Sequence, residues 1–434
     1  MRTNWILIDC VVILVLLSLV LRAAGDDKTE QLAETSVRSD AASAKEFLRN
    51  WPSFRGPNAV GHAAHANPPL QWNVEDGTGI LWKIALPKHG MSSPIAWGNR
   101  IFLTGADDDS RQLYCVDADS GKLLWQHDVN GVPGSPDDGK IPEVLDETGF
   151  AAPTSTTNGQ YVAAIFATGE LVCVNLAGKR IWIKHLGIPQ NHYGHTSSLL
   201  CHDNLLFVQY DQKENSQLLA FELASGQPVW QAKRGAMSWS SPILAEINGR
   251  MELILTNSKA VEGYDPTSGK RLWRVECLDG EVASSAAYAN GTVFVANEGA
   301  PASAIDLSSP ERKTLWQGDE AEVLPDSASP VANDKYLIVP TAFGVVRCLA
   351  ARTGKVLWEQ EFDQGFRSSP ILVNDRVYII DLSGMMQIFR MDQKFELLGA
   401  ADVGEPVYAT PAFIEERIYV RSLGHLFCIR AVTK

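Results

Sequence analysis

No run of lysine or arginine occurs anywhere in the 434 residues, and 51 Asp and Glu outnumber 38 Lys and Arg, giving a net charge of -13. Nucleic-acid binding needs a basic stripe, so that class is excluded. No two cysteines are adjacent and no Cys-x-x-Cys-His occurs, which removes covalently attached haem. Also missing are a Gly-x-Ser-x-Gly elbow, a phosphate-binding loop and a His-Glu-x-x-His helix, so no motif nominates a catalytic residue. Disorder is excluded as well, because 45% of the residues are hydrophobic and 21% charged, the balance of a packed globular chain.

One long apolar run is present, Trp5 to Leu21, preceded by Arg2 and followed by the small residues Ala23-Ala24-Gly25. That layout predicts a secretory signal peptide or an uncleaved signal anchor over 1–25. Cys10 lies too deep in the run for a lipid-attachment cysteine. Residues 26–50 are polar and rich in Ala and Ser, which predicts a flexible tether. The remainder, 51–434, is therefore expected outside the cytoplasm, in the periplasm, secreted or membrane-anchored through residues 5–21.

Of the 12 tryptophans, seven recur at one position of a repeat. A Ser/Thr/Ala-Pro pair opens each repeat, two apolar stretches follow, and an Asp-x-x-Ser-Gly-Lys turn leads into Leu-Trp. The openings are Ser93-Pro94, Ala152-Pro153, Ser197-Ser198, Ser241-Pro242, Ser285-Ala286, Ser329-Pro330, Ser369-Pro370 and Thr410-Pro411. The closings are Trp125, Trp182, Trp230, Trp273, Trp316 and Trp358, with Leu398 near the seventh equivalent. Between them, runs such as Ile101-Phe102-Leu103 and Val377-Tyr378-Ile379 read as strands. The eighth copy ends too soon after Cys428 for a fourth strand, while Ile80-Leu81-Trp82-Lys83 stands alone before the first copy. The spacing thus predicts an all-β, eight-bladed β-propeller of four-stranded blades, its last blade closed by the N-terminal strand around Trp82. Such closure leaves no free sheet edge, and roughly 43 residues per blade suits a four-stranded blade.

The surplus residues of the longer repeats lie in Val129–Gly149 and Leu186–Gly194, both between a fourth strand and the next first strand. That face is the functional candidate, since binding is usually built on loops. The Asp-x-x-Ser-Gly-Lys turns of the other face read as hairpins. Cys115, Cys173, Cys348 and Cys428 share one repeat-equivalent site, filled elsewhere by Ala220, Gly263, Ala304 and Ile388, which predicts buried free thiols rather than disulfides. His192 and His195 have a metal-compatible spacing but no companion ligands nearby, so no metal is assigned. His62 and His65 are expected to be solvated.

Three features together resemble the pyrroloquinoline-quinone (PQQ) repeat propellers. They are turns such as Gly121-Lys122-Leu123-Leu124-Trp125, the opening Trp51-Pro52-Ser53-Phe54-Arg55-Gly56-Pro57, and Ser238-Trp239-Ser240-Ser241-Pro242. The resemblance is to the branch grouped with BamB, the propeller lipoprotein of the outer-membrane β-barrel assembly machinery. It spans about 51–434 and implies two functions. Quinoprotein dehydrogenases hold PQQ and Ca²⁺ on the axis beneath a disulfide between adjacent cysteines, which this chain lacks. BamB-like members bind other proteins with their loops and have no catalytic site. The expectation is a monomeric, non-enzymatic scaffold for protein or envelope components, without cofactor. The alternatives are a PQQ- and Ca²⁺-dependent oxidoreductase and a propeller that senses a small molecule or glycan.

The register nominates a site. Three residues before each opening Pro, or its equivalent, stand Met91, Phe150, His195, Trp239, Ala283, Ser327, Arg367 and Tyr408. First strands line a propeller axis, so these residues are expected to converge on the channel mouth. Met91, Phe150, His195, Trp239, Arg367 and Tyr408 have the composition of binding anchors. Arg367 needs an acidic partner there, and Asp326 is the one acid next to this register.

Overall fold

The computed structural model describes residues 43–135, 144–318 and 324–431. The apolar run 5–21, Cys10, the tether up to residue 42 and part of the long loop, 136–143, lie outside the described residues. No helix among those described is long and apolar enough to cross a membrane.

Eight four-stranded antiparallel sheets follow one another around an axis, in an eight-bladed propeller. Seven blades are sequence-continuous. The eighth pairs Ala412–Ile414, Arg417–Arg421 and His425–Arg430 with Ile80–Ala85, so the N-terminal strand closes the ring with Trp82 opposite Cys428. In the first six blades the same pair sits at the same place: Cys115 opposite Trp125, Cys173 opposite Trp182, Ala220 opposite Trp230, Gly263 opposite Trp273, Ala304 opposite Trp316, and Cys348 opposite Trp358. A bulge follows at once in each, and the outer strand twists away from its partner. The bulk of the Trp explains the small residue across from it. All six described cysteines are buried and free, and burial pushes the Cys115 thiol up to about 12.

Six of these tryptophans stitch neighbouring blades together. The indole N–H of Trp82 donates to Ala118 O (3.1 Å), Trp125 to Leu176 O (3.0 Å), Trp182 to Leu223 O (2.8 Å), Trp230 to Pro266 O (3.0 Å), Trp316 to Ala351 O (2.7 Å) and Trp358 to Asp392 O (2.9 Å). Under five of these rings lies the Gly of the next blade's turn, where a Cβ at Gly226 would fall 2.6 Å from Trp182, while Trp358 packs on Phe395. Two blades depart from this. Trp273 turns inward over Gly263 and donates to Glu252 Oε2 (2.6 Å). In the seventh blade Gly399, not Leu398, stands opposite Ile388. The lead-in fills the missing Trp volume there, with Leu70 O 2.3 Å from where a Gly399 Cβ would be.

On the axis the opening residues form a closed ring. Ser93 N–H donates to Thr154 Oγ1, and the pattern continues through Ser198, Ser241, Ser285, Ser329, Ser369 and Thr410, whose N–H returns to Ser93 Oγ. Each blade gives an amide and the next gives a hydroxyl, so buried backbone donors that no strand can satisfy are satisfied across the axis.

The lead-in closes one end of that axis. Its first element is a short helix, Ala44–Arg49, capped by Ser43, with Phe47 against Trp97; the polar segment expected as a tether over 26–50 thus ends in ordered structure. Trp51 pairs with Ala96, and Pro52 O accepts Thr157 N–H (2.9 Å). Arg55 is wholly buried and donates to Ala286 O (3.1 Å) and Pro330 O (2.5 Å), with Val60 O at 3.4 Å. His62 is not solvated as expected, since its Nε2 lies 2.8 Å from Ala332 O. Arg55, Asn58 and Ala59 all adopt positive φ (61°, 57° and 61°), an uncommon state for residues other than glycine. The segment is coiled tightly into the channel by contacts with many blades.

Candidate functional site

The opposite end of the axis is open. A cavity of about 210 Å³ lies there, floored by Phe54 of the lead-in and by ring hydroxyls including Ser93, Thr154, Ser198 and Ser241. Met91, Tyr193, Trp239 and Tyr408 form its walls, and Glu147, Glu281, Asp326 and Arg367 stand at its rim. Tyr193 meets Trp239 edge to face with centroids 5.3 Å apart. The guanidinium of Arg367 lies 5.9 Å from the Tyr408 ring centroid.

Of the six residues nominated by register, Met91, Trp239, Arg367 and Tyr408 line this cavity. Phe150 and His195 do not. Phe150 lies under the Arg111 guanidinium (4.2 Å). His195 is buried between blades, its Nε2 3.3 Å from Gly187 O and its ring 5.0 Å from Tyr210. Burial pulls its pKa down to about 4, which keeps it neutral. The reason is register. Ring membership, not proline, marks the equivalent position: Thr154 follows Pro153 where Ser93 precedes Pro94, and Ser198 rather than Ser197 carries the ring hydroxyl. Counted from the ring, the equivalents are Ala152 and Thr196, and both line the cavity.

The wall is held in place by buried charge. Arg234 makes a two-pronged pair with Asp211 (2.8 and 3.1 Å), and both side chains are excluded from solvent. Burial opposes the charge of Arg234, but Asp211 and Glu262 outweigh it and raise its pKa. Asp211 Oδ2 also accepts Ser238 N–H (3.0 Å), and Trp239 N–H donates to Val282 O (2.8 Å). The residue before Trp239 and the backbone of Trp239 itself are thereby fixed between blades.

Rim charge is mostly negative. The acidic partner expected for Arg367 was Asp326; the nearest carboxylate is Glu147, with Nη2 to Oε2 at 3.9 Å. The Tyr193 hydroxyl senses the balance. Burial raises its pKa, Glu281, Glu147 and Asp326 raise it further, and Arg367 only partly offsets them. Glu298, close by, is also held up by burial and by Asp326. Sequence register missed Glu147 and Tyr193, which belong to the long connections, and Phe54, which arrives from the lead-in. Glu281 was within reach, two residues before Ala283.

A family model described as Outer membrane protein assembly factor BamB matches residues 70–248 and 302–395, more than half of the chain. The chain belongs to that family. Relatives include BamB of Shewanella oneidensis, 23% identical over 326 residues, and BamB of Yersinia pestis, 22% identical over 244 residues. These matches cover 73% and 52% of the chain and 65% and 60% of the relatives, so the chain spans less than two thirds of their length. Among solved structures, BamB of Moraxella catarrhalis superposes with TM-score 0.60 at 14% identity, over 81% of this chain and 99% of that one. A quinohemoprotein alcohol dehydrogenase of Comamonas testosteroni does so with TM-score 0.64 at 11% identity, over 92% and 82%. At these identities the likeness is one of fold, and both functional classes share it.

Proposed function

We propose that this BamB-family propeller is an extracytoplasmic scaffold that binds a protein or envelope component through its loop-rich face, with the axial cavity as the anchoring point. One observation carries the reading: the axis is sealed by the chain's own lead-in at one end and opens at the other into an aromatic-walled cavity. Aromatic residues in a partly buried pocket with a polar rim are the usual anchors of protein recognition. The signal-like run before the domain supports a place outside the cytoplasm, and the name of the BamB relatives, an outer membrane protein assembly factor, supports partners of that kind.

The quinoprotein reading fares worse on the same cavity. PQQ brings three carboxylates and, in that class, a bound Ca²⁺. Here three carboxylates already face one guanidinium. Among the described residues no group of His, Cys, Asp or Glu is spaced to hold a metal ion, and the chain has no adjacent cysteine pair. This donor set does not fit the cofactor.

The test is a photo-crosslinking residue placed at the exposed loop residue His192, next to the cavity-lining Tyr193, or at Lys270 on the opposite face, in the native envelope. Capture of the same partner from His192 and none from Lys270 is expected. Equal capture from both, or from Lys270 alone, contradicts the reading. A titration of the purified chain with PQQ and Ca²⁺, followed by absorbance and dye reduction, is expected to give no saturable signal.

A further inference from the structure

The rim carboxylates and the aromatic walls define the chemistry of what the cavity takes. We propose that it receives a single organic cation, an ammonium or guanidinium group, for which a basic side chain of the bound partner is the source. The proposal deepens the scaffold reading and rests on it for the source of the cation, though not for its chemistry.

Size sets the first limit. About 210 Å³ exceeds the roughly 150 Å³ that holds a benzene ring, so one side-chain head group or a small amine fits and a strand or loop does not. Charge sets the second. Among the described residues, Glu147, Glu281 and Asp326 face Arg367 alone, and all three carboxylates are exposed. An anion entering would meet that excess, whereas a cation would be drawn in. The walls set the third. Trp239, Tyr193 and Tyr408 offer aromatic surfaces to which a cation is attracted, Trp most strongly, and Arg367 near the Tyr408 ring already shows the geometry. A metal ion is the wrong cation, because the carboxylates do not gather into a ligating group.

The test titrates the purified full chain by calorimetry with Nα-acetyl-lysine methylamide, its neutral counterpart Nα-acetyl-norleucine methylamide, tetramethylammonium, acetate and glucose. The indole N–H signal of Trp239, assigned with Trp239→Phe, locates binding. The lysine probe should bind at least tenfold more tightly than norleucine, shift the Trp239 signal, and weaken as salt rises. Glu281→Gln with Asp326→Asn should weaken it about tenfold, at exposed positions where folding is not at risk. Arg367→Gln should tighten it severalfold, the opposite of what an anion site would show. Tighter binding of tetramethylammonium than of the lysine probe would move the source from a partner side chain to a free amine, keeping the chemistry and removing the partner as its source. Preference for acetate or glucose, equal binding of lysine and norleucine, or loss of lysine binding in Arg367→Gln overturns the proposal. The two readings fail separately. If rim capture persists while every cation fails, the cation chemistry falls and the scaffold stands; if the cation binds and nothing is captured, the scaffold reading falls alone.

Discussion

The two ends of the propeller axis are built from the same eight repeats and finish differently. At one end the lead-in threads the channel, and Arg55 spends its guanidinium on carbonyl oxygens of the surrounding blades. At the other, long connections raise Glu147 and Tyr193 beside the repeat-register residues Trp239, Arg367 and Tyr408, around an opening that nothing in the described chain fills. Burial pulls the Arg55 pKa down to about 9, yet leaves it charged at neutral pH; it is a cation held by backbone dipoles in the chain's own interior. The open end presents the converse, aromatic surface and carboxylates with one cation among them. The difference teaches that one repeat position, varied from blade to blade, supplies most of the mouth, and that segments outside the regular blades finish each end, the lead-in closing one and the long connections adding Glu147 and Tyr193 to the other.

If the closed end is structural, damage there should cost most. Removing residues 1–88 takes away both the lead-in and the Trp82 strand, and should lower the melting temperature by about 10 °C or more, whereas removing 1–42 should leave it within a degree or two. Equal melting of the two truncations, followed by circular dichroism, would break the comparison. Next in size, Arg55→Ala should cost about 3 kcal/mol in denaturant unfolding, because it strips charge-assisted bonds from buried carbonyls.

A pH effect of similar size belongs to neither end. His195 has a folded pKa near 4 against an ordinary 6.5, so the unfolded chain binds its proton first. Its contribution to stability is therefore whole above pH 6.5 and is lost as pH falls toward 4, by about 3 kcal/mol in all. Unfolding measured from pH 7 to 4 should show a smaller fall in His195→Phe. An unchanged slope would return His195 to a solvated position near the mouth. The smallest effects are expected at the open end, where the half-buried Tyr408 and Arg367 face the cavity, and Tyr408→Ala and Arg367→Gln should change unfolding free energy by about 1 kcal/mol or less.

The blades were legible because a bulky Trp opposite a small residue cannot drift: each blade has one place for it, and Trp82 before the first repeat announced the closure of the last. The register of the mouth was less legible in two blades. Proline was a poor marker there, since Pro153 precedes its ring hydroxyl at Thr154 while Pro94 follows Ser93, and so Phe150 and His195 were set at the mouth where Ala152 and Thr196 stand. Leu398 likewise stood in for Gly399, because the filler of that gap, Leu70, comes from 329 residues earlier. The plug was not legible at all. Positive φ at Arg55, Asn58 and Ala59 leaves no mark in residues that elsewhere adopt ordinary backbone, and its partners are spread over 231 and 275 residues of sequence.

The claim that the open end recognises and the closed end only holds is tested most directly by Trp239→Ala, assayed for partner capture from the native envelope at matched folded fraction. Trp239 is half-buried, and its backbone is fixed by Val282 O whatever the side chain. Capture should fall at least tenfold while the melting temperature stays within a few degrees of the parent. Full capture by the folded variant would contradict the account and reduce the cavity wall to packing.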